Sequence, residues 1–200
     1  MKKSTLALFS VLGIIVLFFG MGCSTYNGLV NYDEEVDKSW NNVETQYQRR
    51  SDLILNLAKT VMKAADTEKE ILQGVIEARS AASSIKLDAS KLNAENMAKF
   101  EAAQSKLSGS LSRLMLVVER YPQLQSIPQF AKLNDEIAGT ENRISTARSD
   151  FNEVVANYNK RVRKFPNVIF AGMFGFERKT GFSSEQGAEK APDMDDVFGE

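Results

Sequence analysis

Apolar residues recur every three to four positions through most of this chain. Along positions 36, 40, 43, 47, 50, 54, 57, 61, 64, 68, 71, 75, 78, 82 and 85, only Arg50 and Glu68 break an otherwise apolar stripe. A repeat of that length at 3.5-residue spacing predicts one long helix packed in a bundle or coiled coil, not a strand. Residues 83–93 read as a connection, with Asp88, Ser90 and Asn93 available as caps. A second helix follows with Met97, Phe100, Gln104, Leu107, Leu111, Leu114, Val118 and Tyr121 on one face, and Pro122 ends it. Pro128 suits the first position of a third helix. Its stripe runs from Phe130 through Ile137, Thr140, Ile144, Phe151 and Tyr158 to Phe165, where Pro166 stops it. Three long helices joined by short connections should pack antiparallel. The apolar, aromatic segment Val168 to Phe176 reads as a short fourth helix or lid closing one end. The predicted fold is all-α: an antiparallel bundle of three long helices plus a short C-terminal helix, preceded by an N-terminal membrane helix.

That membrane helix comes from a different pattern. Thr5 to Cys23 contains no charge and follows Lys2-Lys3. At about 1.5 Å per residue it would be about 28 Å long, close to the hydrocarbon thickness of a bilayer. Two readings of the segment both end in anchoring. One is an uncleaved spanning helix, in which Gly20 and Gly22 are ordinary. The other is a bacterial lipoprotein signal, in which Cys23 becomes the lipid-attached first residue between small Gly22 and Ser24. All the charge before the run is basic, whereas Asp33, Glu34, Glu35 and Asp37 follow it. The positive-inside tendency therefore leaves the N-terminus in the cytoplasm and the body outside it.

Charge divides the remainder. Ser183 to Glu200 holds six acidic residues and one lysine, and reads as a disordered acidic tail. The chain then divides into an anchor (1–23), a helical domain (24–182) and a tail (183–200). A formal net charge of −1 gives no reason to expect nucleic acid. Cys23 is the only cysteine and histidine is absent. These absences remove disulfides, Ser-His and Cys-His nucleophilic systems, and the common zinc and di-iron ligand sets. No Gly-rich phosphate loop or nucleophile elbow occurs. We expect no catalytic residues, no cofactor and no metal. Asp135, Glu136 and Glu141 lack a second carboxylate cluster on a partner helix.

The polar interruptions of the stripes are Arg50 and Glu68 on the first, and Thr140 and Arg161 on the third. Polar residues at core positions commonly fix register, and that is the reading preferred over a ligand site. Glu141 neighbours the third stripe and is within reach of Arg49 or Arg50 across the bundle.

These residues carry a resemblance. Tyr26-Asn27-Gly28-Leu29-Val30 after a membrane segment is followed by Val36 and Trp40, then by the run Gln48-Arg49-Arg50-Ser51-Asp52-Leu53-Ile54-Leu55-Asn56-Leu57. Glu77-Ala78-Arg79, Tyr121-Pro122, Thr140-Glu141-Asn142-Arg143-Ile144, Ala147-Arg148, Tyr158-Asn159, Phe165-Pro166 and Phe174-Gly175-Phe176 follow in order. Together they resemble the LemA family over roughly residues 1 to 182. Leu55 departs from it, standing where the family usually has proline, so the first helix should be straighter here. The resemblance implies a bacterial membrane-anchored helical bundle with no established enzymatic activity. Within its motifs Gln48, Arg49, Arg50, Asp52, Asn56, Thr140, Glu141, Asn142 and Arg143 would form a shared polar contact between the first and third helices, structural in role.

The expected function is an interaction or scaffolding protein at the bacterial cell envelope, with the membrane and other envelope proteins as partners. The alternative is an envelope module binding a small ligand or cell-wall fragment through the polar residues of the bundle.

Overall fold

The computed structural model describes residues 3–64 and 69–183. Every regular element among them is helical: α1 (Lys3–Ala64), α2 (Lys69–Ser84), α3 (Ala94–Arg120), α4 (Pro122–Gln125), α5 (Pro128–Arg163) and α6 (Asn167–Phe174), with one 3-10 turn at Ala89–Lys91. The three long helices are α1, α3 and α5, and α6 is the short C-terminal one. The acidic tail beyond Ser183 lies outside the described residues.

The first stripe is not one helix to residue 85. It ends at Ala64, and α2 runs back along α1: Arg79 Nη2 lies 2.7 Å from Asp52 Oδ1, and further along Trp40 Nε1 donates to the Leu87 carbonyl at 2.8 Å. Residues 65–68, including the stripe position Glu68, are outside the described residues. The sequence signal there is Thr67-x-x-Glu70, the residue pattern of a helix start. Periodicity alone does not reveal such a break, because the apolar positions on either side happen to stay in phase.

This extra reversal changes the directions of the helices. Trp40 packs on Phe100 and Arg50 reaches Ser108, so α3 runs parallel to α1. Arg50 meets Glu141 while Arg161 lies over the Tyr32 ring, so α5 runs antiparallel to α1. The bundle is thus α1 up, α2 down, α3 up and α5 down. Asn93 caps α3 by accepting from Asn96 N, Asp88 caps the 3-10 turn through Ser90 N, and Pro128 opens α5.

Two apolar clusters fill the bundle. The one distal to the apolar N-terminus joins Ile54, Leu57, Val75, Leu107, Leu114 and Val118 with Leu124 and Phe130. The proximal one centres on Trp40, with Phe100, Phe151 and Phe182 at ring-centroid distances of 5.2, 5.3 and 6.0 Å. Each such aromatic pair adds about 0.5–1.5 kcal/mol beyond area burial.

Phe182 belongs to an extended strap, residues 176–183, laid along α5. Asn159 Oδ1 accepts from Lys179 N at 3.0 Å and its Nδ2 donates to Lys179 O at 2.8 Å. Seven residues earlier, two helical turns, Asn152 does the same with Phe182 at 2.7 and 3.0 Å. Thr180 N donates to Leu92 O at 2.7 Å. The strap therefore satisfies backbone groups that an isolated extended segment would leave to water.

α1 passes Leu55 and Cys23 without interruption. It is the one helix among the described residues long and apolar enough to cross a membrane. The large apolar side chains from Leu8 to Phe19 are all exposed, Phe18 least because its ring meets Phe170.

Candidate functional site

Arg50 is the polar residue most deeply set on the α1 stripe, 8% exposed. Its Nη2 contacts Glu141 Oε1 on α5 and donates to Ser108 Oγ on α3 at 2.9 Å. Ser108 Oγ in turn donates to the Gln104 carbonyl one turn earlier, at 2.9 Å. One guanidinium thus ties three helices, as its forked donors allow. Arg49, next to it but facing outward, lies 3.8 Å from Glu136. Thr140 is fully buried and donates to the Ile137 carbonyl at 2.6 Å, so its hydroxyl is satisfied within its own helix.

The other motif residues scatter around this tie. Gln48 is exposed at the rim of a cleft, and Asp52 lines that cleft while pairing with Arg79. Asn56 is exposed and contributes only its carbonyl, to Thr60 Oγ. Asn142 and Arg143 are exposed along a separate shallow groove with Asn42, Gln46 and Asp150. Cys23 is an exposed free thiol on α1. Of the three carboxylates weighed for a metal, Glu136 and Glu141 are engaged with Arg49 and Arg50 instead.

The cleft, about 670 Å³, lies open between α1, α2 and α3 and the connection 85–88. Its floor holds Tyr47 and Phe100, and its walls carry Glu44, Asp52, Arg79 and Lys86. Burial raises the Glu44 carboxyl above its usual range, partly opposed by the Trp40 indole and by Lys86. Burial also pushes the Tyr47 phenol upward, against the pull of Arg148 and Arg50. Ser51 Oγ and Gln104 Oε1, both on residues more than nine-tenths buried, line the cleft without a hydrogen-bond partner. Buried polar atoms left this way are uncommon and are met by a ligand or solvent where one can enter.

A second polar assembly sits nearer the apolar N-terminus. Lys179 Nζ lies 2.6 Å from Asp33 Oδ1, 4.0 Å from Asp37 and 5.2 Å from the Tyr158 ring centroid. Tyr158 donates to the Glu177 carbonyl, and its hydroxyl is driven far above its normal pKa by burial, then by Asp33 and Glu177. It locks the strap down as a neutral donor.

Sequence reading placed Gln104 on the second stripe and Ser51 and Asn159 within the family motifs but gave them no role, and it did not note Ser108 or Asn152. Ser51 and Ser108 look like ordinary helix-surface serines. The spacing of two asparagines by seven on α5 was the available signal for the clamp.

Known proteins resemble this chain over most of its length. The LemA family pattern matches residues 39–195. The chain is 27% identical to Magnetosome protein MamQ 2 and to MamQ 1 of Paramagnetospirillum magneticum, over 90% of its length and 72% of theirs. It is 26% identical to Magnetosome protein MamQ of Magnetospirillum gryphiswaldense, over 82% of this chain and 66% of that one.

Proposed function

The chain belongs to the LemA family, and from that premise we propose that it is a membrane-anchored interaction scaffold of the bacterial envelope that performs no catalysis. The observation carrying this reading is the continuity of α1. One helix leads from the apolar segment into the core of the bundle with no hinge at Cys23 or Gly28. From Cys23 to Ala64 it rises about 60 Å. A bundle built on such a rod is held at a set height above the bilayer, which suits holding partners at a set distance. The exposed faces of α3 and α5 are the surfaces offered to them. The body lies outside the cytoplasm in this reading, with Lys2 and Lys3 retained inside. The relatives are named as magnetosome proteins. At 27% identity that compartment is not carried over to this chain.

The test is site-specific photo-crosslinking of the full-length protein in its native membrane, from exposed positions such as Ser105 and Glu153. Discrete crosslinked envelope proteins are expected. A surface that captures nothing from any position would refute the scaffold. Intact mass of the membrane-extracted protein beside a Cys23→Ser variant separates the two anchors. Loss of residues 1–22 with added acyl mass, abolished by the substitution, would make it a lipoprotein.

One observation favours a second reading, a small polar ligand in the α1–α2–α3 cleft: the unpartnered Ser51 Oγ and Gln104 Oε1. Cell-wall fragments rich in hydroxyl and amide groups would satisfy both. Thermal-shift screening of the full chain against such fragments, with a Gln104→Leu control, tests it. No shift with any fragment would remove it.

A further inference from the structure

α6 has an apolar surface that the bundle leaves uncovered. Its sequence, Asn167-Val168-Ile169-Phe170-Ala171-Gly172-Met173-Phe174, contains no charge. Asn167, Phe170 and Ala171 are buried, whereas Val168 and Ile169 are each 46% exposed and Met173 is 66% exposed. Phe165, in the turn before α6, is 77% exposed. Exposed apolar residues grouped this densely mark a contact surface.

The position of α6 identifies what covers it. Its Phe170 ring packs on Phe18 of α1 at 5.0 Å and lies against Gly22, and its Phe174 packs on Tyr26 at 5.0 Å. Phe18 is five residues inside the end of the apolar run at Cys23, a depth of about 7 Å along the helix axis. That is the depth at which interfacial helices bury their apolar faces, about 5–10 Å into the headgroup and acyl boundary. Directly above, α5 ends in Lys160, Arg161, Arg163 and Lys164, three of which are exposed. An apolar wedge below a basic collar, beside a membrane-spanning helix, has the charge order of an anionic bilayer surface. A second copy docked through the same corner would bring these three exposed cations against three others.

We propose that the α5–α6 corner is a second membrane contact, with Phe165, Val168, Ile169 and Met173 inserted among the lipids around α1 and Arg163 and Lys164 on anionic headgroups. The contact rests on the anchoring role of α1. It makes the bundle lean on the bilayer at two points instead of pivoting about a single helix.

The experiment uses the full chain in a Cys23→Ser background, reconstituted in vesicles of phosphatidylcholine with phosphatidylglycerol. Single substitutions Val11→Cys, Ile169→Cys, Met173→Cys and the distal control Gln129→Cys receive an environment-sensitive fluorophore. Nitroxide-labelled lipids should quench the probes at 11, 169 and 173, with shallow nitroxides more effective than deep ones at 169 and 173, and should leave 129 unaffected. Quenching at 11 with free access of aqueous iodide to 169 and 173 overturns the second contact alone. Shielding of 169 and 173 from both quenchers also overturns it, and would assign the face to another protein copy. No lipid quenching at 11 would remove the anchor and this proposal together. Arg163→Gln with Lys164→Gln should reduce quenching at 169 several-fold. Equal quenching in vesicles without phosphatidylglycerol would refute the headgroup contact.

Discussion

The Arg50 guanidinium and the Glu141 carboxylate meet across α1 and α5, ninety-one positions apart in the chain. Arg50 is nearly enclosed, whereas the Glu141 side chain is 48% exposed. Solvent therefore screens one half of the pair, and the cost of breaking it falls below the roughly 3–5 kcal/mol typical of a fully buried pair.

Glu141→Ala should destabilise the bundle by about 1–3 kcal/mol, because it strands a buried cation. Arg50→Met should cost less, since its carboxylate partner can turn to water and the methionine stem refills the stripe. Urea unfolding followed by circular dichroism of the two singles and the double gives the coupling. A coupling near zero would mean the contact contributes nothing to stability.

Gly181→Ala should release the strap. A Cβ at Gly181 would overlap Asn152 Oδ1, which accepts from Phe182 N while Asn152 Nδ2 donates to Phe182 O. Displacing Asn152 forfeits both, at about 1–3 kcal/mol. Trp40, the chain's one tryptophan, stacks on Phe182 and reports the change. Its fluorescence should alter along with the melting temperature, and an unchanged spectrum would contradict the prediction.

The Glu44 carboxyl has a higher pKa folded than unfolded because it is partly buried. The native state then holds its proton more tightly than the unfolded chain does. The stability this adds is complete below the unfolded pKa, about 4.3, and is lost as pH rises through the folded value. Glu44→Gln should flatten the decline that sets in above about pH 4.3, a small effect given the solvent access of the carboxyl. Urea titrations at several pH values check the slope; a steeper decline in the variant would reverse the assignment.

Gln104→Leu should leave stability unchanged or raise it by up to about 1 kcal/mol, because it removes a buried carbonyl oxygen that lacks a partner. Differential scanning calorimetry measures it. A loss above about 2 kcal/mol would show that the amide makes bonds the fold depends on.

The helical character of α1, α3 and α5 was legible in the sequence. The stripes of α1, α3 and α5, the caps at Asp88 and Asn93, and Pro128 at the start of α5 are local features, set by contacts within a few residues. The apolar run before Cys23 is equally local, since its length and lack of charge are read directly from the residues. The direction of packing was not local. A stripe that stays in phase across residues 65–68 reads as one helix, so α2 was absorbed into α1 and the parallel pairing of α1 with α3 was hidden. The same limit covers the strap and the cleft. Residues 176–183 have no helical or strand period, and are held by Asn152, Asn159, Tyr158 and Leu92, far away in the chain. Ser51 and Gln104 become a site only when α1 and α3 converge with α2 alongside. Sequence determined which segments are helices and which end is apolar, because hydrogen bonds and side-chain spacing within a helix are short-range. Tertiary structure decided which helices face each other, where a polar atom goes unpartnered, and that α6 lies beside the apolar end of α1, because each of these depends on residues that only folding brings together.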